Sequence, residues 1–361
     1  MGLNEKFFKS ADSVINPRDH FNTVLFTGNN STNVITTVGF QPDLSWFKNR
    51  QAGNSNALVD SVRGRSKVLF SDTVTGDSTS DSNKDLVSFD TDGFTLGAVQ
   101  TANSFNKVDS TNNIVAWNWY APTAQTNNAG SNGATIASTI KKNVTAGFSI
   151  VSYTGDTNSG AKIAHGLNST PELIFFKVRT STNNWVVYNS TIGATKYLQL
   201  DNSNPAQSGI SKFNNAEPTA SLISLGNDSD INRNFNYIAY CFHSVDGYSK
   251  IGSYPGNGTN QTIDVGFTPQ FVMIKNTTQT SAYASWIMFD SKRLVAYNDT
   301  NPLYANESAA EGTRGNGTGD GDVLEIIFVT DTGFKLGDAS RNNGSDETNN
   351  NNETYIYYAI A

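Results

Sequence analysis

Cysteine occurs once in the 361 residues, at Cys241, so no disulfide can form within the chain. The thiol lies in the apolar run NYIAYCFHS, where a free cysteine behaves as a small buried hydrophobe. Charge is also scarce: Asp, Glu, Lys and Arg make up 16% of the chain, well under the rough quarter usual for soluble domains. The net charge of −7 offers phosphate backbones no general attraction, which disfavours nucleic acid as a partner. No apolar run approaches the ~20 residues of a membrane span, so no membrane insertion is expected. The opening MGLNEKFFKSADSV lacks the long apolar run of a secretory signal, and Lys6 stands where myristoylation requires Ser or Thr.

What the sequence has instead is Asn, Ser, Thr and Gly for polarity, with Val, Ile, Phe, Tyr and Thr in short runs that favour pleated structure. That balance reads as an all-β chain with many turns. One run returns three times. GFQPDLSWFK (39–48), GLNSTPELIFFK (166–177) and GFTPQFVMIK (266–275) each place a lysine six residues after a proline: Lys48, Lys177 and Lys275. Upstream stand LFTGN (25–29), SYTGD (152–156) and SYPGN (253–257). Downstream stand DSVR (60–63), NSTI (189–192) and DSKR (290–293), then DGFTLG, ISLG and TGFKLG. Each copy closes on an aromatic strand: IVAWNW (114–119), YIAYCF (237–242), YIYYAI (355–360).

Landmarks in one order, repeated at a period of about a hundred residues, indicate tandem duplication of a domain-sized unit. The expected organisation is an anchoring segment over 1–20, units at 21–120, 135–247 and 248–361, and a linker at 121–134 that reads as flexible or as a long surface loop. Short strands between Gly, Asn, Asp and Pro clusters fit antiparallel sandwich or jelly-roll-like modules in a row. In LIFFKV and FVMIKN apolar residues point to both faces, as in a strand covered on both sides. Ser45 in the first copy suggests one less buried face there. The Asn-rich stretch 342–354 reads as a long loop, mobile or exposed. Leu3, Phe7, Phe8, Ala11, Val14 and Ile15 have roughly helical spacing ahead of Pro17, a short helical or extended anchor that needs a docking surface.

The repeats also test candidate chemistry, because a working group should persist at its equivalent position. His165 aligns with Val38 and Val265, while His20 and His243 fall at unit borders without a GxSxG motif. DTDGF (90–94) starts like a calcium loop but lacks the further oxygen ligands, so an Asp-Gly turn is the better reading. GDGD (319–322) is acidic without further support. Asp60 with Arg63 and Asp290 with Arg293 suit turn-bracing pairs better than a catalytic dyad, since Asn189 replaces the acid in the second copy. Trp185 and Trp286, with Asn56 at the same place in the first copy, read as core rather than sugar platforms. The three lysines read as structural, with stems on apolar surface and ammonium groups in water or on carbonyls. No catalytic, cofactor-binding or metal-binding residue is expected, and no enzymatic activity.

With these landmarks in place, the chain resembles a family of structural proteins of tailed bacteriophages, especially marine ones. The resemblance rests on GFQPDLSWFK, DSVRG, DGFTLG and AWNW, and on the opening LNEKFFKS…FNTVLFTGN. It covers essentially the whole chain and is strongest in the first unit; the second departs by inserting Ser169 and Thr170 and by shortening the GFxLG region. It implies a virion surface protein made in the host cytoplasm and released by lysis, with a tail-fibre or appendage adhesin as the leading role. Capsid decoration is the alternative, and a carbohydrate-binding or carbohydrate-cleaving module a more distant one. The implied partners are other virion proteins through the amino-terminal segment, a host glycan or receptor, and further copies of the chain, with a homotrimer expected from the habits of such appendages.

Overall fold

The computed structural model describes residues 15–81, 83–99, 105–108, 113–279, 284–293, 302–311, 326–328, 331–336 and 347–361. A single 3-10 turn, Pro17–Asp19, leads into the first strand; the rest of the anchoring segment, 1–14, lies outside the described residues. The first unit holds β1 (Phe21–Phe26), β2 (Asn33–Ile35), β3 (Leu44–Asn49), β4 (Ala57–Asp60), β5 (Lys67–Phe70), β6 (Ser78–Thr79), β7 (Leu86–Asp90), β8 (Gly93–Leu96) and β9 (Ile114–Trp119). The second holds β10 (Thr123–Asn127), β11 (Ser138–Asn143), β12 (Phe148–Thr154), β13 (Ala161–Ala164), β14 (Leu173–Val178), β15 (Val186–Asn189), β16 (Lys196–Gln199), β17 (Gln207–Ser208), a single helical turn α1 (Ile210–Phe213), β18 (Leu222–Leu225) and β19 (Asn236–Phe242). The third holds β20 (Ser249–Pro255), β21 (Gln261–Asp264), β22 (Phe271–Asn276), β23 (Trp286–Asp290), β24 (Leu303–Tyr304), β25 (Ile326–Phe328), β26 (Gly333–Leu336) and β27 (Thr354–Ile360).

Each unit is a sandwich of one large and one small antiparallel sheet. The large sheets run β1-β9-β3-β4-β5-β6, β10-β11-β12-β19-β14-β15-β16-β17 and β20-β27-β22-β23-β24. The small ones are β2-β8-β7, β13-β18 and β21-β26-β25. In every unit the closing aromatic strand lies between the strand that ends in the Gly turn (β1, β12 or β20) and the lysine strand, so β9, β19 and β27 are each paired on both edges.

Alternation along these strands explains why both faces are apolar. On β14, Ile174, Phe176 and Val178 turn toward the unit's own small sheet, while Leu173 and Phe175 turn the other way. The second set meets its counterparts from the other units: Leu44, Trp46 and Trp117 from the first, and Phe271, Met273 and Tyr358 from the third, in one continuous core. Phe271 packs against Phe21, Trp117 and Trp119 of the first unit, and Phe242 against Trp119 and Tyr358 of the other two. With a period of two, one strand serves a private core on one face and the shared core on the other. A void of only about 10 Å³ remains at the centre, lined by Trp46, Phe175, Phe271, Met273 and Tyr358 among others.

Three sequence-based expectations change here. The units do not stand in a row: they pack around a common centre, because each large sheet has a second apolar face that solvent would otherwise reach. The stretch 121–134 is not a free linker, since β10 pairs with β11 and extends the large sheet of the second unit. Ser45 does not mark a less buried face either: it is fully buried and donates to Asn118 Oδ1 at 2.7 Å. The DTDGF turn is the β7–β8 hairpin, with Thr95 Oγ1 donating to Asp90 Oδ2, whereas GDGD (319–322) lies outside the described residues.

Candidate functional site

The polar groups that the repeats keep in register converge on the seams between units. Lys48, Lys177 and Lys275 end the fully buried strands β3, β14 and β22, and each is itself fully buried. Lys177 Nζ donates to Asn183 O in its own unit at 2.5 Å and to Val74 O of the first unit at 2.8 Å. Lys275 Nζ donates to Ala284 O and Asn276 O, both at 2.7 Å, and to Ser203 O of the second unit at 3.2 Å. Lys48 Nζ donates to Asn54 O at 2.7 Å and reaches the third unit at Ser308 O, 2.8 Å. Every ammonium therefore binds carbonyls of its own loop and of the preceding unit, and the third unit precedes the first.

The residues aligned with Asn56 make a second tie in the same direction. Trp185 Nε1 donates to Phe70 O at 2.9 Å and Trp286 Nε1 to Gln199 O at 2.7 Å. Asn56 Nδ2 donates to Tyr304 O and Ala305 O at 2.9 and 3.1 Å. Both tryptophans are thus seam core, closed to a sugar ring. A third tie is purely backbone: Asp77 N–H to Arg179 O, Ala206 N–H to Thr277 O, and Glu311 N–H to Arg50 O, at 2.7, 2.9 and 2.7 Å.

Charge reinforces two of the three seams. Asp77 bridges Arg63 of its own unit and Arg179 of the second; Glu311 bridges Arg293 and, across to the first unit, Arg50. Asp60 and Asp290 pair with Arg63 and Arg293 at 2.5 Å, as turn braces, and each also takes a hydrogen bond from the next unit's central aromatic, Tyr240 OH and Trp117 Nε1. At the seam between units two and three, Asn189, Ala206 and Thr277 stand in place of these charged groups. The alignment of Asp60 with Asn189 already signalled that difference; the bridging roles of Asp77 and Glu311 left no sequence signal, because the two lie in loops of unlike composition.

Burial sets the electrostatics of the lysines. It lowers Lys48 and Lys177 to about 8, against the pull of Asp72 and Glu307 on the first and of Asp201, Asp230 and Asp77 on the second. It lowers Lys275 to about 7 with no carboxylate opposing it, since Asn306 accepts from Trp286 N–H where Asp72 and Asp201 accept from Asn56 and Trp185 N–H. A base held below its ordinary value binds fewer protons folded than unfolded, so stability should rise with pH between about 7 and 10, by about 1.4 kcal/mol per pH unit for each proton. Lys275→Met should flatten the rise of the urea midpoint between pH 7.5 and 9.5; an unchanged slope would rule out Lys275 as its source.

The remaining sequence candidates are structural in their surroundings. His165 is fully buried, lowered to about 4 by burial, with Nε2 on Thr219 O and Nδ1 accepting from Leu167 N–H. His20 Nδ1 meets Asn143 Nδ2 at 2.9 Å where the first unit borders the second, and His243 Nδ1 meets Ser244 O. Cys241 is buried and pushed up to about 12 by burial.

A further triplicate feature escaped the sequence reading. Three fully buried asparagines, Asn106, Asn232 and Asn349, each pin the loop that follows β1, β12 or β20. Their Oδ1 atoms accept from Asn29, Asp156 and Asn257 N–H; their Nδ2 atoms donate to Ser31, Asn158 and Thr259 O. Each loop carries a left-handed residue at the same place, Asn30, Thr157 and Gly258. It is entered through Gly28, Gly155 or Gly256, where an added Cβ would meet a backbone oxygen at 2.0 to 2.2 Å. Asn349 corrects the view of 342–354 as wholly exposed; 342–346 lie outside the described residues. Asn106 and Asn232 share an apolar–Asn–basic triplet, Phe105-Asn106-Lys107 and Ile231-Asn232-Arg233, but Thr348-Asn349-Asn350 breaks the pattern, which hides the triplicate. Asn232→Ala frees buried amide and carbonyl groups, at a cost of about 1–3 kcal/mol. Amide exchange at Asp156 and Asn158 should speed up while the β12–β19 ladder stays protected, and unchanged loop exchange would refute the pinning role.

An open recess of about 270 Å³ lies between the β10–β11 hairpin and the turn at Ser61 and Val62, lined also by Gln125, Thr126, Thr139 and Lys141. Lys141 Nζ and Ser61 Oγ both donate to Asp43 Oδ1 on one side of it. Among the described residues no group of three His, Cys, Asp or Glu side chains could hold a metal ion, and no helix is long and apolar enough to cross a membrane. No curated protein and no solved structure matches the chain. One family model spans residues 16–361, all three units and the shared core together, and by that match the chain belongs to the family defined by a domain of unknown function, DUF7483.

Proposed function

We propose that the protein is a non-enzymatic structural component of a bacteriophage particle, exposed on its surface, with a tail-fibre or appendage adhesin as its role. The observation that carries this reading is where the motif residues of the phage-like resemblance lie. Lys48, Asp60, Arg63 and Trp117 are consumed by ties between and within units, as suits a rigid block rather than a reaction centre. Little of its stability rests on exposed ion pairs, so salt screens little of it. Contact with the host falls to the surfaces where the copies differ, the three pinned loops and the recess beside the β10–β11 hairpin, and attachment to other virion proteins to the amino-terminal segment.

Antibody labelling of intact particles tests the reading. Label at the tail is the expected result, label spread over the head would replace adhesion by head decoration, and absence from purified particles would overturn the proposal.

A further inference from the structure

The ties between units are heterologous: the patch a unit offers differs from the patch it receives. Each unit offers the segment at and after β5, β16 or β24, around 70–77, 199–206 and 304–311. Each receives, at its buried lysine and its Asn56, Trp185 or Trp286 position, the loop of the preceding unit. Such contacts between like units run on as an open chain unless the rotation closes them into a ring. Here the third loop lands on the first unit, through Lys48 and Asn56 and through the Arg50–Glu311 pair, across some 260 residues of sequence. The ring closes at three with every loop and every seat used.

We infer that a single chain is the complete equivalent of a homotrimer: it stands as one copy, and the seams, which would otherwise recruit further copies, are satisfied internally. The partner that fits a seam is another unit of this kind, and the chain already supplies all three. Other proteins must engage the ends of the ring or its outer small sheets. The homotrimer expected from appendage habits is thereby replaced by one polypeptide with three non-identical units, each free to carry a different exposed loop on the same scaffold.

Two measurements on the full chain test this without reference to any virion role. Light scattering at micromolar concentration should give the mass of one chain, 39.0 kDa; a multiple of that mass overturns the inference. A protease site inserted between Asp246 and Gly247, an exposed turn with open space around Gly247, lets the third unit be cut from the other two after folding. The cut protein should still run as one particle of unchanged mass in the absence of denaturant, because two seams hold the third unit. Separation of the pieces would show that the seams do not hold without the covalent link, and the inference fails.

Discussion

Replacing Arg63 by alanine should lower stability by about 3–5 kcal/mol, the usual effect of removing one partner from a buried ion pair. The side chains of Arg63 and Asp60 are fully enclosed, and the guanidinium also reaches Asp77, Leu58 O, Lys67 O and Tyr240 OH. Its loss strands a buried carboxylate, which costs far more than an absent pair would. The second unit provides the control, for it has Asn189 and Ile192 where the first has Asp60 and Arg63. Asn189 Oδ1 accepts from Thr191 N–H just as Asp60 Oδ1 accepts from Val62 N–H, so the turn itself needs no charge. The double change Asp60→Asn with Arg63→Ile should therefore recover most of the lost stability in urea titrations. If the double variant is as unstable as Arg63→Ala, the cost lies in lost packing and not in the stranded charge.

Trp117→Ala should be comparably damaging, about 3–5 kcal/mol, as for other large-to-small changes in a core. The indole is fully buried in the shared core, set edge-on to Trp46 and Phe271, with Arg293 over its face at 5.9 Å. Its Nε1 donates to Asp290 Oδ2 at 3.1 Å across the seam between the third and first units. Tyr240 and Tyr358 occupy the same position in the other two units, and Tyr240 likewise donates to a seam carboxylate, Asp60. Trp117→Tyr should consequently cost much less than the alanine change, as it keeps both an aromatic body and a donor. A thermal midpoint for Trp117→Ala within a degree or two of the parent would mean that the centre of the ring contributes little, contrary to the shared-core account.

Much of the molecule was legible one strand at a time. LIFFKV and FVMIKN already carried a strand with apolar residues on both faces, and all three copies a lysine at its end, because side-chain alternation and turn chemistry act over a few residues. The all-β class, the three copies, the bracing role of Asp60 with Arg63 and the core placement of Trp185 and Trp286 all follow from such local signals. The second apolar face was visible on the lysine strands of the second and third units, but nothing local says what covers it: a helix, a second sheet or another unit would satisfy the same pattern.

That choice is made by contacts far apart in the sequence. The acceptors of Lys48 include Asn54 O, six residues away, and Ser308 O, 260 residues away. Backbone carbonyls carry no residue identity, so the second partner leaves no trace in composition or spacing. The same holds for Asn106, Asn232 and Asn349, whose partners are mainly backbone groups. The sequence by itself determined the strands, their triplication and the burial of their large apolar side chains. The tertiary structure alone decided that the three units close into a ring, because closure depends on the relative rotation of whole sheets and on carbonyls that any residue could supply.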